Sequence, residues 1–123
     1  MPDALTDPED TKLVTLARSA RARTRAPQGA AARDLDGRTY AAAAVDLSSF
    51  RATAVQVAVA MAVSSGAQGL EAVVVLDDAE PDGGADGGEP AADDVAVVRD
   101  LAGEGCPVHH VTAKGDLLAT VTT

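Results

Sequence analysis

Hydrophobic and polar positions along the chain form alternating blocks whose periods suit helices and strands in turn. The first block begins at Asp7-Pro8, a capping residue followed by proline at the first helical position, and apolar residues then recur at helical spacing through about Thr24. Pro27 and Gly29 end this predicted helix. Four arginines lie in or just after its last turns: Arg18, Arg21, Arg23 and Arg25. Cations there complement the helix dipole, and we favour this role for the arginines over an anion-binding site.

The next block has the pattern of a β-hairpin. Two short apolar runs, Ala30–Arg33 and Arg38–Val45, flank a turn at Asp34–Gly37 that ends in Asp-Gly. The alanines after Tyr40 have high helix propensity, but so short a run directly after a turn does not nucleate a helix. We therefore predict two strands.

A long stretch with almost no charge, Phe50–Ser65, predicts a helix that Gly66 ends. Because a helix that is apolar on nearly every side is buried on nearly every side, we expect it to be the central helix of the domain. Leu70–Leu76 follows as a buried strand, apolar except for one glutamate.

The chain then enters an acidic segment, Asp77–Asp94, with eight acidic residues, four glycines, two prolines and no Lys or Arg. This composition predicts a solvated loop, since the acids lack the regular spacing of an EF-hand calcium site. A helix at Val95–Ala102 and two strands at Pro107–Thr112 and Leu117–Thr122 complete the order α-β-β-α-β-α-β-β.

Helices that alternate with the strands of a mixed sheet make a three-layer α/β domain. We predict one such domain over residues 1–123, with a five-stranded sheet, about three helices and a flexible N-terminus at residues 1–7. A chain of this length suits a single hydrophobic core.

Composition and charge exclude several classes of partner. A net charge of −9 opposes binding to nucleic acid and to anionic membranes, and a chain with no Trp, one Tyr and one Phe has few rings to stack on bases. The longest apolar stretch, Ala52–Val63, is shorter than the roughly 20 residues that a membrane-spanning helix needs. A single cysteine excludes internal disulfides and the acidic start is not a signal peptide, so we expect a cytoplasmic protein.

Several short segments, taken in order from about Leu13 to Val121, resemble the cytidine deaminase family. Their joint order and spacing carry the resemblance, which implies the family's three-layer α-β-α fold. The matching segments are Pro27–Ala31 (the family's Pro-Val-Gly-Ala-Ala), Asp36–Tyr40 (its Asp-Gly-x-x-Tyr hairpin), Ala54–Ala58 and Ala62–Gly66 (the helix after its Cys-Ala-Glu motif), and Pro107-Val108 with Gly115-Asp116 (its C-terminal hairpin).

The resemblance also implies a zinc chemistry. In the family, three thiolate or imidazole ligands hold Zn²⁺, a water fills the open position, and a glutamate that is not a ligand shuttles protons. The motif His/Cys-Ala-Glu falls on Thr53–Val55, which places Thr53 at a ligand position and Val55 at the proton-shuttle position. The motif Pro-Cys-x-x-Cys falls on Pro90–Asp94, with Ala91 and Asp94 at the two cysteine positions.

None of these four positions keeps the chemistry of the family. Thr53, Ala91 and Asp94 offer one carboxylate between them, which cannot hold zinc tightly, and Val55 cannot move a proton. We therefore predict that this chain has no catalytic residue at these positions, no bound metal and no cofactor.

Cys106, His109 and His110 are the remaining residues with thiol or imidazole groups, and they could form half of a zinc site. Neighbouring residues of a strand point to opposite faces, so at most one histidine can aim in the same direction as Cys106. No second pair of ligands exists elsewhere in the sequence. We predict that one histidine is exposed and that the other lies at the surface or at an interface.

The positions that would bind a substrate are depleted as well. The family's base-stacking aromatic residue corresponds to Ala26, and its ribose-binding Asn-x-Glu pair corresponds to Ala44–Asp46. Asp46 keeps a carboxylate that is one methylene shorter, and it is the one residue that we nominate for a polar ligand contact. The alternative role for Asp46 is a helix cap or a surface acid.

Three functions follow from these observations. The favoured one is a catalytically inactive cytidine deaminase-like protein that acts as a binding or assembly module and forms homodimers or homotetramers, because family members assemble through the central helix region. The alternative is a binder of a nucleoside-like small molecule without turnover. An active deaminase with a non-standard site, or another enzyme, is least favoured, since no nucleophile motif such as Gly-x-Ser-x-Gly is present.

Overall fold

The computed structural model describes residues 3–80 and 88–123 and contains three helices and eight strands in that part of the chain. The helices are α1 (Pro8–Thr24), α2 (Ala54–Ser64) and α3 (Ala92–Ala102). The strands are β1 (Asp3–Ala4), β2 (Gly29–Asp34), β3 (Thr39–Ala43), β4 (Val45–Asp46), β5 (Arg51–Ala52), β6 (Leu70–Asp77), β7 (Pro107–Thr112) and β8 (Asp116–Thr122).

The predicted α/β architecture is confirmed. The main sheet has the order β1-β8-β7-β6-β2-β3, in which β6 and β7 are parallel and every other pair is antiparallel. Its five long strands are the five predicted from the sequence. The two-residue strand β1 adds to the edge by pairing with the start of β8, and it lies within the N-terminal segment 1–7 that was predicted to be flexible. Strands β4 and β5 form a separate two-stranded ribbon.

The sheet separates two hydrophobic cores, which makes the domain three-layered. On one face, α1 packs through Leu13, Val14 and Ala17 against the side chains of Val74 and Leu76 in β6. On the other face, α2 and α3 pack against the alternate β6 residues and against the alanines of β2 and β3. Since successive side chains of a strand point to opposite faces, β6 supplies both cores, and this explains its nearly unbroken apolar sequence.

The structure corrects the prediction for the central helix. The expected helix Phe50–Ser65 begins at Ala54, because Thr53 caps the helix and Gln56 returns the capping bond to the Thr53 backbone. The residues before the cap, Arg51–Ala52, pair instead with β4. The helix is also not buried on every side, since the side chains of Met61 and Val63 are 39% and 55% exposed.

Both ends of the acidic segment, which was predicted to be a loop, belong to regular elements. Asp77 is the last residue of β6, and α3 begins at Ala92 instead of Val95, so Asp94 lies in the first helical turn and is buried. Residues 81–87 of the segment lie outside the described residues. The hairpin prediction placed Val45 in the second strand, whereas the structure places it in β4.

The predicted hairpin turn at Asp34–Gly37 is confirmed and is held by one carboxylate. The Asp34 side chain accepts hydrogen bonds from the backbone N–H groups of Asp36 and Arg38, both at 2.9 Å, and from the Tyr40 hydroxyl at 2.7 Å. Burial alone would raise the pKa of Asp34, but these donors hold it below its ordinary value.

In the described residues, no helix is both long and apolar enough to cross a lipid bilayer.

The close approach of α1 to the sheet generates a stability prediction at Gly29. A β-carbon there would lie 2.0 Å from the Ala17 carbonyl oxygen and 2.9 Å from the Arg21 β-carbon, so backbone would have to move. We expect Gly29→Ala to lower the free energy of unfolding in urea by about 3 kcal/mol or more.

The matched control is Gly66→Ala, where an added β-carbon meets no atom within 4 Å but the backbone holds a φ of +91°. Left-handed strain alone costs about 1–2 kcal/mol. Equal losses in the two variants would show that the contact with Ala17 is not what requires glycine at position 29.

Candidate functional site

Residues that the resemblance assigns to the active site come together at one end of the sheet. A cavity of about 180 Å³ lies there. It is next to the carboxyl ends of the parallel strands β6 and β7, a common location for ligand crevices in α/β folds. Its lining residues are Gln28, Val75, Asp77, Glu89, Pro90, Ala91, Asp94 and His110.

Thr53 is fixed at the start of α2 by three hydrogen bonds. Its hydroxyl accepts from the backbone N–H of Gln56 at 3.1 Å, and its own backbone N–H donates to the Gln56 side chain at 2.9 Å. The hydroxyl proton goes to the Asp94 carboxyl, with 2.7 Å between the Thr53 Oγ1 and Asp94 Oδ1 atoms. Both functions of the Thr53 hydroxyl are therefore in use within the protein.

Asp94 is a buried carboxyl group in the first turn of α3, and its residue is only 2% exposed. Burial raises the pKa of Asp94, the hydrogen bond from Thr53 offsets part of that rise, and the negative charge of Asp93 adds to it. The net shift of the pKa is upward.

Val55 is fully buried in the core between α2 and the sheet. Its side chain packs among apolar groups, at the position that the sequence resemblance assigns to the family's proton-shuttling glutamate. A valine has no group that exchanges protons, so the predicted loss of proton-transfer chemistry at this position is a property of the residue itself.

The residues that the sequence resemblance assigns to the family's metal positions do not fit zinc. The Thr53 hydroxyl and the Asp94 carboxyl satisfy each other, and Ala91 offers a methyl group. In residues 3–80 and 88–123, no three His, Cys, Asp or Glu side chains lie close enough together to hold a metal ion. One carboxyl group that already accepts a hydrogen bond is a poor ligand set for Zn²⁺, which prefers thiolate and imidazole donors.

His110 and Asp77 form a second polar group in the same cavity. The His110 ring places Nδ1 2.6 Å from the Gly88 carbonyl oxygen and Nε2 2.9 Å from Asp77 Oδ1. Both neighbours are acceptors, so the ring makes both hydrogen bonds only when both nitrogens carry protons. Burial would raise the pKa of Asp77, but hydrogen bonds from His110 and the Ala79 N–H hold it below its ordinary value.

The prediction that one histidine is exposed is wrong, because His109 and His110 are each only 8% exposed. They do point to opposite sides of the sheet, as their positions on a strand require. His109 lies against Thr120, at 2.8 Å from its hydroxyl, and near Asp10 of α1. Burial lowers the pKa of His109 despite the nearby Asp10 carboxylate.

Cys106 is separate from both histidine environments and carries no half-site for zinc. Its side chain is buried in the core cluster shared by α2 and α3. Burial raises the pKa of its thiol to about 11, so the group stays protonated at neutral pH and is a poor nucleophile and a poor metal ligand.

Asp46 lies in β4 and lines a larger groove of about 460 Å³. This groove shares Gln28 with the 180 Å³ cavity next to Asp94 and His110. Its carboxylate accepts from Arg51 at 2.8 Å, and both side chains are largely exposed. A pair this exposed adds little to stability. The sequence reasoning missed Gln28 and Asp77 and considered His110 only as part of a zinc half-site. Asp77 follows the apolar run of β6, where such a group could have been expected, whereas His110 lies within β7.

Comparisons with known proteins agree on one fold. The family model described as cytidine deaminase-like matches residues 6–115. A cytidine deaminase from Burkholderia pseudomallei is 19% identical, with a TM-score of 0.76 over 96% of this chain and 93% of that one. One from Mycobacterium leprae is 21% identical, with a TM-score of 0.69 over 94% of each chain. One from Mycobacterium tuberculosis is 23% identical, with a TM-score of 0.67 over 85% of this chain and 86% of that one. Among curated proteins, no significant sequence match is found.

The lowered pKa of Asp77 generates a pH-dependent prediction. A carboxyl whose pKa is depressed in the folded state contributes stability above its unfolded pKa and loses it as the pH falls through the folded value. We expect Asp77→Asn to reduce the free energy of unfolding by about 1–2 kcal/mol at neutral pH. The difference from the unmodified protein should shrink as the pH is lowered, measured by urea unfolding at a series of pH values.

Asp100→Asn is the control, since Asp100 is an exposed acid of α3 that does not line this cavity. A deficit of Asp77→Asn that stayed constant down to acid pH would contradict the assigned hydrogen bond from His110.

Proposed function

Because the chain belongs to the cytidine deaminase-like family, we propose that it is a member that does not deaminate cytidine and that serves as a binding or assembly module. The observation that carries this proposal is the hydrogen bond between Thr53 and Asp94, which occupies two of the three positions where the family places metal ligands. The third of these positions is Ala91.

We also propose a cytoplasmic location, which the single cysteine and its buried, unreactive setting support.

Deamination needs an activated water and a group that moves protons between water, base and leaving ammonia. Val55 is buried in the core and has no such group. Of the ionisable residues that line the cavity, Asp94 is bonded to Thr53 and Asp77 is bonded to His110, while Glu89 is an exposed residue of the loop that precedes α3. The cavity therefore retains polar groups, but it offers neither the three zinc ligands nor the glutamate that the family's reaction uses.

We expect the purified protein, incubated with excess zinc, to release no more ammonia from cytidine than a sample without protein. The positive control for metal binding is the variant Thr53→Cys, Ala91→Cys and Asp94→Cys, which restores three thiolates while leaving Val55 and the core unchanged. Elemental analysis after dialysis should find about one zinc per chain in this variant and almost none in the original.

Zinc-dependent turnover of cytidine by the unmodified chain, abolished by a chelator, would overturn the proposal. Failure of the triple variant to retain zinc would show that these three positions do not surround one metal site, and the assignment of the motifs would be wrong.

The exposed side of α2 supports the assembly role. Two adjoining grooves of about 570 and 730 Å³ run along it and share Gln56, Ala60, Ser64 and Val97. Large apolar side chains are exposed here, with Phe50 at 59%, Met61 at 39% and Val63 at 55%. A contiguous apolar surface of this kind marks an interaction site in a protein that carries a net charge of −9. The family resemblance implies a second copy of the chain as the occupant.

We expect the unmodified protein to run as a dimer or tetramer in size-exclusion chromatography with light scattering, and the double variant Met61→Glu and Val63→Glu to run as a monomer. Burying two carboxylates against an apolar partner surface is unfavourable unless they are paired. Leu35→Glu is the matched control, because Leu35 is 60% exposed in the hairpin turn and lines neither of the two grooves. A monomeric unmodified protein, or a variant that still assembles, would contradict this interface.

The alternative function is a small-molecule binder. The groove next to Asp46 and the cavity next to Asp94 share Gln28, and together they reach the volume of ordinary ligand pockets. Asp46 would then contact a hydroxyl of a nucleoside-like ligand. A rise in the unfolding midpoint with nucleosides that is lost in Asp46→Ala would place this function ahead of assembly.

A further inference from the structure

The ends of two helices meet where the family fold places its metal. Thr53 caps the N-terminus of α2, and Asp94 stands in the first turn of α3, so a metal held at these positions would link the two helices. In this chain the link is direct, with 2.7 Å between Thr53 Oγ1 and Asp94 Oδ1. We infer that this hydrogen bond replaces a metal as the connection between α2 and α3, so that the chain keeps its fold without zinc.

The two helix ends differ in how firmly their own residues hold them. The start of α2 is fixed by the reciprocal capping bonds of Thr53 and Gln56. The start of α3 has Ala91 at its cap position and, within the described residues, no capping hydrogen bond from a side chain. The bond from Thr53 therefore anchors the weakly capped helix to the firmly capped one, which makes Thr53 and Asp94 positioning residues.

This inference rests on the same substitutions as the proposed function, but the two fail separately. Turnover of cytidine would overturn the function, whereas the connection between the helices is tested by unfolding experiments that need no substrate.

The test of this inference is a double-mutant cycle on thermal unfolding. We expect Thr53→Val and Asp94→Ala each to lower the unfolding midpoint by several degrees, and the combination to lower it by clearly less than the sum, because the two side chains share one interaction. Thr53→Ser, which keeps the hydroxyl, should stay within about a degree of the original.

Loss of the helix cap is controlled by Gln56→Ala, which breaks the capping box and leaves the Asp94 bond in place. Gln56→Ala and Asp94→Ala should lower the midpoint additively. Additive effects of Thr53→Val and Asp94→Ala would overturn the inference, and so would a midpoint of the unmodified protein that falls in a chelator or rises with added zinc.

Discussion

The contact of α1 with the sheet at Gly29 is the constraint on which the rest of the packing depends. A β-carbon at this position would meet the backbone of Ala17, so the helix lies as near the sheet as a polypeptide allows. The alanines of β2 and β3 permit a similar approach by α2 on the other face. A core built from small residues stabilises the domain only through such close contacts, since each side chain buries little area. Most of the fold is thus secured by packing that lies away from the polar groups at the end of the sheet.

Because most of this packing lies away from the end of the sheet, the polar groups there can differ without a change of architecture. The cavity now contains two carboxyl groups whose environments act in opposite directions. Asp77 accepts hydrogen bonds from His110 and from a backbone N–H, and these lower its pKa despite burial. At Asp94, burial raises the pKa, and the hydrogen bond from the Thr53 hydroxyl offsets only part of that rise. Both carboxyl groups are bonded to neighbouring elements of the protein.

The sequence predicts the architecture well because its periodicity and turn residues agree with each other. Asp34 and Tyr40 specify the hairpin, and the buried β6 strand follows from its apolar run. The element boundaries that the sequence predicts wrongly depend on contacts between residues that are distant in the chain. Composition alone made Asp94 part of a solvated loop, whereas its partner Thr53 lies far away in sequence and makes it a buried helical residue. The burial of His109 and His110 is missed for the same reason, since Asp10, Thr120 and Asp77 are distant in the chain.

The α2 helix carries the exposed apolar side chains on which the proposed assembly depends. Its residues carry no charge from Ala54 to Ser64, and this pattern predicts burial on every side. The single chain covers the side that includes Val55 and Ala58 and leaves Met61 and Val63 open. Apolar residues on an exposed helix face favour association because their area is removed from water only when a partner covers it. The sequence pattern and the folded chain are therefore consistent with each other if a second surface completes the burial of α2.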